Sequence, residues 1–225
     1  MKKILLAAAI AVSAVANLSA QKKTDFEGKV TYAISFEGSG LPPEALTMLN
    51  GSESVNYIKG DKRRTDLNMA IQSTSAIIDS KTKDVVTLMD IMGQKYLIRM
   101  TEADLKKEEE KNPVTGIKYS DETKTIAGYK CKKAEASMKV NGKDETATVW
   151  YTEEIPTSEV KSVYKGLKGF PMEYMLNQSG IKMTFTAKSV SKETVPDTKF
   201  EIPKEGYTET TMEDFQKSMQ KMGAQ

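Results

Sequence analysis

The chain has 225 residues, with 33 lysines and arginines against 31 aspartates and glutamates, no histidine and one cysteine, Cys131. A net charge of +2 gives no electrostatic reason to bind nucleic acid or an anionic membrane surface. Without histidine the Ser-His-Asp and Cys-His arrangements and the usual zinc ligand set are absent, and a single cysteine makes no intrachain disulfide.

The chain opens with "MKKILLAAAIAVSAVANLSA". Two lysines, an apolar run too short to span a bilayer and the small residues Ser19 and Ala20 predict a cleaved secretory signal over residues 1–20, and hence a periplasmic or secreted protein. Residues 21–225 are then expected to form a single domain, soluble and without a transmembrane segment.

From Phe26 to Phe36 apolar and polar residues alternate, the pattern of a strand with one buried face. Pro42-Pro43 and Gly51 bound a short helix around "EALTMLNG". Strands follow over Glu53–Lys59, Lys62–Met69, Ser73–Asp79, Asp84–Asp90 and Lys95–Met100, joined by short polar or Gly-containing gaps that predict an antiparallel meander. Thr101 caps a charged helix that Pro113 stops. Beyond it come a strand ending at Ile126, strands over Tyr129–Val140 and Glu145–Tyr151, a helical turn over Ser158–Leu167, an apolar strand within Gly169–Gly180, and an alternating strand over Ile181–Ser189. Met212, Phe215, Met219 and Met222 form one stripe of a terminal amphipathic helix, about residues 211–222. The expected fold is mainly β (α+β): a strongly curved antiparallel sheet or half-barrel of about ten strands, with a few short helices on its concave face.

Neither a P-loop nor a G-x-G-x-x-G run is present, "DSKTKD" lacks EF-hand spacing, and Asp79 and Asp90 sit where turn chemistry explains them. No catalytic, metal or cofactor-binding residue is therefore expected. The basic run "KGDKRR" reads as a turn and a solvated strand face. Cys131 reads as a small buried hydrophobe within a strand; a reactive thiol or an intermolecular disulfide is the alternative.

Twelve methionines follow the predicted signal, and several fall on apolar strand faces. Flexible, polarisable Met surfaces suit varied apolar partners, although the same residues also fill irregular cores. The expected ligand-lining set is Ile34, Phe36, Tyr57, Leu67, Met69, Met89, Met100, Trp150, Met172, Met175, Met183 and Phe185. It would line a cavity of the sheet, and Trp150 would stand at its mouth or be one more core aromatic.

The segments "TKTIAGYKCKKAEASM", "VWYTEEIP", "GLKGFPMEYML" and "FEIPKEGY" resemble, in order, the exported Bacteroidota family known as domain of unknown function 4412. "GFPMEY" is also similar to the pattern of the GLPGLI family. The resemblance implies a fold like that of the periplasmic lipoprotein carrier, a LolA-like half-open barrel, and supplies no catalytic residues. Together these readings predict a non-enzymatic carrier for a lipid, acyl chain or lipopeptide. The alternative is an envelope interaction module with a filled core and a protein partner.

Overall fold

The computed structural model of the chain describes residues 26–37, 43–49, 51–70, 72–111, 113–140, 142–156, 164, 166–178 and 181–222. The predicted signal, and most of the helical turn expected over Ser158–Leu167, lie outside the described residues. Twelve strands form one open sheet: β1 Glu27–Glu37, β2 Glu53–Lys59, β3 Lys62–Met69, β4 Gln72–Asp79, β5 Asp84–Ile91, β6 Gln94–Met100, β7 Val114–Ile126, β8 Tyr129–Val140, β9 Lys143–Thr152, β10 Phe170–Gln178, β11 Ile181–Lys192 and β12 Thr208–Thr210. Among the described residues the α-helices are α1 Pro43–Leu49, α2 Glu102–Lys111 and α3 Met212–Met222, with a 3-10 turn over Asp197–Phe200.

The strand order is β12-β6-β5-β4-β3-β2-β1-β11-β10-β9-β8-β7. Two meanders, β1–β6 and β7–β11, are thus joined through the antiparallel pairing of β1 with β11. The mainly β expectation holds, but the sheet has twelve strands where about ten were expected, and it is mixed because β12 runs parallel to β6. The tight turns follow from local chemistry. Met92-Gly93 and Ala127-Gly128 each place two successive residues at positive φ, at 52° and 85° and at 49° and 84°, as a two-residue hairpin loop requires.

Directly opposed residues of antiparallel strands share a face. One such row crosses the first meander as Tyr32, Ser54, Leu67, Thr74, Met89 and Tyr96. The opposite face carries Lys29, Tyr57, Arg64, Ile77, Val86 and Arg99. The main core lies on the Tyr32 face, where Val30, Tyr32, Ile34, Val149, Met172, Tyr174 and Phe185 are buried and Ile155, Tyr164 and Leu167 pack over them. On the other face, Ile77, Val86, Leu88 and Leu97 are buried beneath Val195 and Phe200 of the segment that follows β11. A third cluster joins Ile78, Val85 and Met100 to Leu105 of α2 and Met212 of α3. Phe215 of α3 is buried edge-on to Tyr96, at 5.2 Å between ring centres, so the terminal helix docks on its own sheet. The side chains of Met219 and Met222 lie outside the described residues.

Candidate functional site

The segment that covers the Arg99 face ends in a cleft of about 360 Å³ lined by Leu97, Arg99, Ile202, Pro203, Lys204, Tyr207 and Glu209. Alternation along β6 puts Leu97 and Arg99 on one side of the strand. Leu97 is buried against Val86 and Leu88 and forms the apolar floor. Gly206, at φ 82°, turns the chain so that Tyr207 packs on that floor and β12 can run alongside β6. Glu209 then stands opposite Leu97, and Arg99 Nε donates to Glu209 Oε1 at 2.8 Å. Both ends of this pair are more than half exposed. Lys95 Nζ lies 5.9 Å from the centre of the Tyr207 ring.

A half-buried phenol, a forked guanidinium, a carboxylate and two lysines around an apolar floor suit a polyhydroxylated ligand. The ring offers a flat apolar surface to the C–H side of a sugar, and Arg99 and Glu209 supply donors and acceptors for adjacent hydroxyls. The volume lies within the usual range for small-ligand sites. Among the described residues, no group of three or more His, Cys, Asp or Glu side chains is placed to hold a metal ion.

The ligand-lining residues expected from the sequence are distributed over several groups. Ile34, Met172, Met183 and Phe185 are buried in the main core, while Phe36, Leu67, Trp150 and Met175 are half-buried against it. Met100 belongs to the cluster beneath α2 and α3, and Tyr57 to the one beneath Val195. Met69 and Met89 are half-buried on β3 and β5. Trp150 lies beneath Lys124, whose Nζ is 4.4 Å from the ring centre and 2.7 Å from Glu173 Oε1. None of the twelve lines the Arg99 cleft. Arg99, Tyr207 and Glu209 were not singled out from the sequence, because each reads alone as an ordinary solvated strand or turn residue. "FEIPKEGY" was the one signal close to the site.

The described residues thus form an open sheet with a polar cleft, lined in part by an aromatic ring, at its β6–β12 edge. A family model described as the N-terminal domain of N-glycanase peptide matches residues 30–212, and the chain belongs to that family. No curated protein matches. Thirteen chains of solved structures match. One, described as the structure of PNGF-II in a P21 space group, superposes with a TM-score of 0.54 at 21% identity, covering 87% of this chain and 34% of that one. The present chain therefore spans about a third of the length of that protein, and the likeness shows the fold.

These findings correct several expectations. The resemblance to domain of unknown function 4412, and with it the LolA-like fold, is replaced by the N-glycanase family. The quoted stretches spell generic hairpins: "TKTIAGYKCKKAEASM" is β7, the Ala127-Gly128 turn and β8, a pattern that strand geometry imposes on unrelated sheets. The lipid-carrier reading, its interaction-module alternative and the lipid-binding description fall with it, since the matched family is an N-terminal domain of N-glycanase. The non-enzymatic expectation is overturned on the same ground. It rested on missing histidine and missing motifs, yet carboxylates, guanidinium groups and phenols remain available for hydrolytic and sugar-binding chemistry.

Proposed function

We propose that this protein acts in the removal of N-linked glycans and that the Arg99–Tyr207–Glu209 cleft contacts the carbohydrate. The observation that carries the reading is the family match over residues 30–212, which includes every residue lining the cleft. The predicted signal fits this role, because an exported protein meets glycoproteins outside the cytoplasm.

The length of chain between β6 and β7 bears on the shape of the sheet. The link from β6 to β7 holds the ten-residue α2 and only a few further residues. It spans at most about 30 Å, at ~1.5 Å per helical and ~3.4 Å per extended residue. In a flat sheet the ten strand spacings between β6 and β7 would separate them by about 48 Å. We infer that the sheet bends to bring its two halves together around the main core.

The test is to incubate the full chain with an N-glycopeptide and with the same peptide lacking its glycan. Glycan release is read by mass spectrometry and binding by calorimetry. Release, or binding confined to the glycosylated form, is the expected result. Equal affinity for both peptides with no release would overturn the reading.

A further inference from the structure

The chain has three arginines, Arg63, Arg64 and Arg99. Two of them place Nε on a carboxylate: Arg64 on Asp66 Oδ1 at 2.6 Å and Arg99 on Glu209 Oε1 at 2.8 Å. Arg63 does not. Its Nη1 donates to the carbonyls of Gly60 at 2.7 Å and Lys62 at 2.9 Å, and its Nη2 reaches only the Pro156 carbonyl, at 3.5 Å. Its Nε is buried and has no hydrogen-bond partner. Every group that Arg63 bonds is a neutral carbonyl.

The position explains how the side chain comes to be held there. On β3, Arg63 is paired with Ile58 of β2 and Ile78 of β4, both buried, so it shares their apolar face. The Ile155-Pro156 segment crosses the main core and lies against the guanidinium. Burial pushes the Arg63 guanidinium down to about 10, partly offset by Asp61, so it is charged at neutral pH. A desolvated cation is costly; among the described residues no carboxylate is hydrogen-bonded to this one, Asp61 acts on it only through space, and two backbone acceptors hold Nη1. The bond to Gly60 lies at the surface, so solvent reaches that end of the group. What lacks a strong partner is the Nε–Nη2 edge, the side of the fork that takes a carboxylate through two parallel hydrogen bonds: Nε is closed off from solvent and unbonded, and Nη2 has only the long Pro156 contact.

We propose that the Nε–Nη2 edge of Arg63, between the Gly60-Asp61 turn and Pro156, is a binding site for a ligand carboxylate. The site is separate from the Arg99 cleft, and the proposal stands independently of the glycan reading. The ligand chemistry is a planar carboxylate, carried by an acidic sugar or by an acidic amino acid.

With three arginines, the side-chain Nε–H region of a ¹H–¹⁵N spectrum holds three signals, assignable through Arg63→Lys, Arg64→Lys and Arg99→Lys variants. The full chain is titrated with acetate at constant ionic strength, with acetamide as the uncharged control of the same shape. The expected result is a saturable shift of the Arg63 signal with acetate alone, the other two staying in place. Acetate should also raise the melting temperature of the wild type and not of Arg63→Lys, which keeps the charge but lacks the fork. Glucuronate binding tenfold tighter than N-acetylaspartate would assign the site to acidic sugars, and the reverse order to acidic amino acids. No shift, a linear shift, or equal movement of all three signals overturns the proposal, and the wild-type titration decides this even if a variant fails to fold.

Discussion

The hydroxyl of Tyr32 on β1 donates to the Pro171 carbonyl on β10 at 2.6 Å, across the intervening strand β11. Tyr32 is 1% exposed, and Pro171 lies where the β9–β10 register slips, so the bond holds an irregular stretch of strand inside the main core. Tyr32→Phe keeps the ring and its edge-on contact with Tyr174, but leaves a buried acceptor unpaired. A loss of about 1–3 kcal/mol is expected, read as a lower urea midpoint at unchanged slope.

The same region makes the fold sensitive to alkali. Burial pushes Tyr164 up to about 12, despite its hydroxyl donating to the Met175 carbonyl at 2.6 Å; it raises Tyr174 further still and holds Tyr32 well above the usual phenol range. A folded-state pKa above the unfolded value of 10 contributes stability that is fully present below pH 10 and is lost as the pH rises towards 12. For Tyr164 alone the two-unit difference amounts to roughly 2–3 kcal/mol. Urea midpoints should be level up to about pH 10 and fall beyond it, together with the tyrosinate absorbance. Midpoints independent of pH across that range would contradict the assignment.

Gly169 stands where β10 begins beside the end of β9. A Cβ there would lie 2.5 Å from the Thr152 carbonyl oxygen and 2.5 Å from the Tyr151 ring. The obstacles are backbone and a buried ring, neither of which yields cheaply. Gly169→Ala is expected to cost about 3 kcal/mol, whereas Gly116→Ala, with no atom within 4 Å of its Cβ, should leave the unfolding midpoint nearly unmoved.

Cys131 is fully buried, and its thiol donates to the Tyr129 carbonyl at 3.4 Å. Burial raises the thiol above its usual pKa, although Lys124 and a hydrogen bond involving Ile126 oppose this. A buried thiol held protonated is a poor nucleophile. Labelling by a thiol reagent should be slow in the native protein and increase with urea along the unfolding curve. Fast native labelling would return the reactive-thiol alternative.

How far the sequence could be read depends on the range of each interaction. β1 was legible because it alternates, and β2 to β6 because each turn between them is short and local. β12 was not: it has three residues, and its partner β6 lies about a hundred positions earlier in the chain. The cleft was hidden for the same reason, since Arg99 and Glu209 are 110 residues apart and carry no common motif. The Met-rich faces were legible as apolar, but periodicity does not say which of several clusters a residue joins. Met172 and Met100 alternate alike, yet one is in the main core and the other lies beneath α2 and α3.

The cleft itself gives the last prediction. Tyr207 contributes an apolar ring wall, Arg99 and Glu209 a hydrogen-bonding pair, and both ends of that pair are more than half exposed. An exposed pair adds little to folding, so Glu209→Gln should leave the melting temperature nearly unchanged. Glutamine keeps an acceptor but loses the charge that orients Arg99, and binding of a glycopeptide should weaken about tenfold, the equivalent of ~1.4 kcal/mol. Tyr207→Ala removes the ring and part of the cover over Leu97, so it should lower both affinity and stability. Tyr207→Phe separates the two effects: stability retained with affinity reduced would assign the hydroxyl to the sugar, and both retained would assign the ring. Glycopeptide affinity unchanged in Glu209→Gln, Arg99→Ala and Tyr207→Ala alike would remove the carbohydrate from this cleft, whatever the whole protein does to glycans.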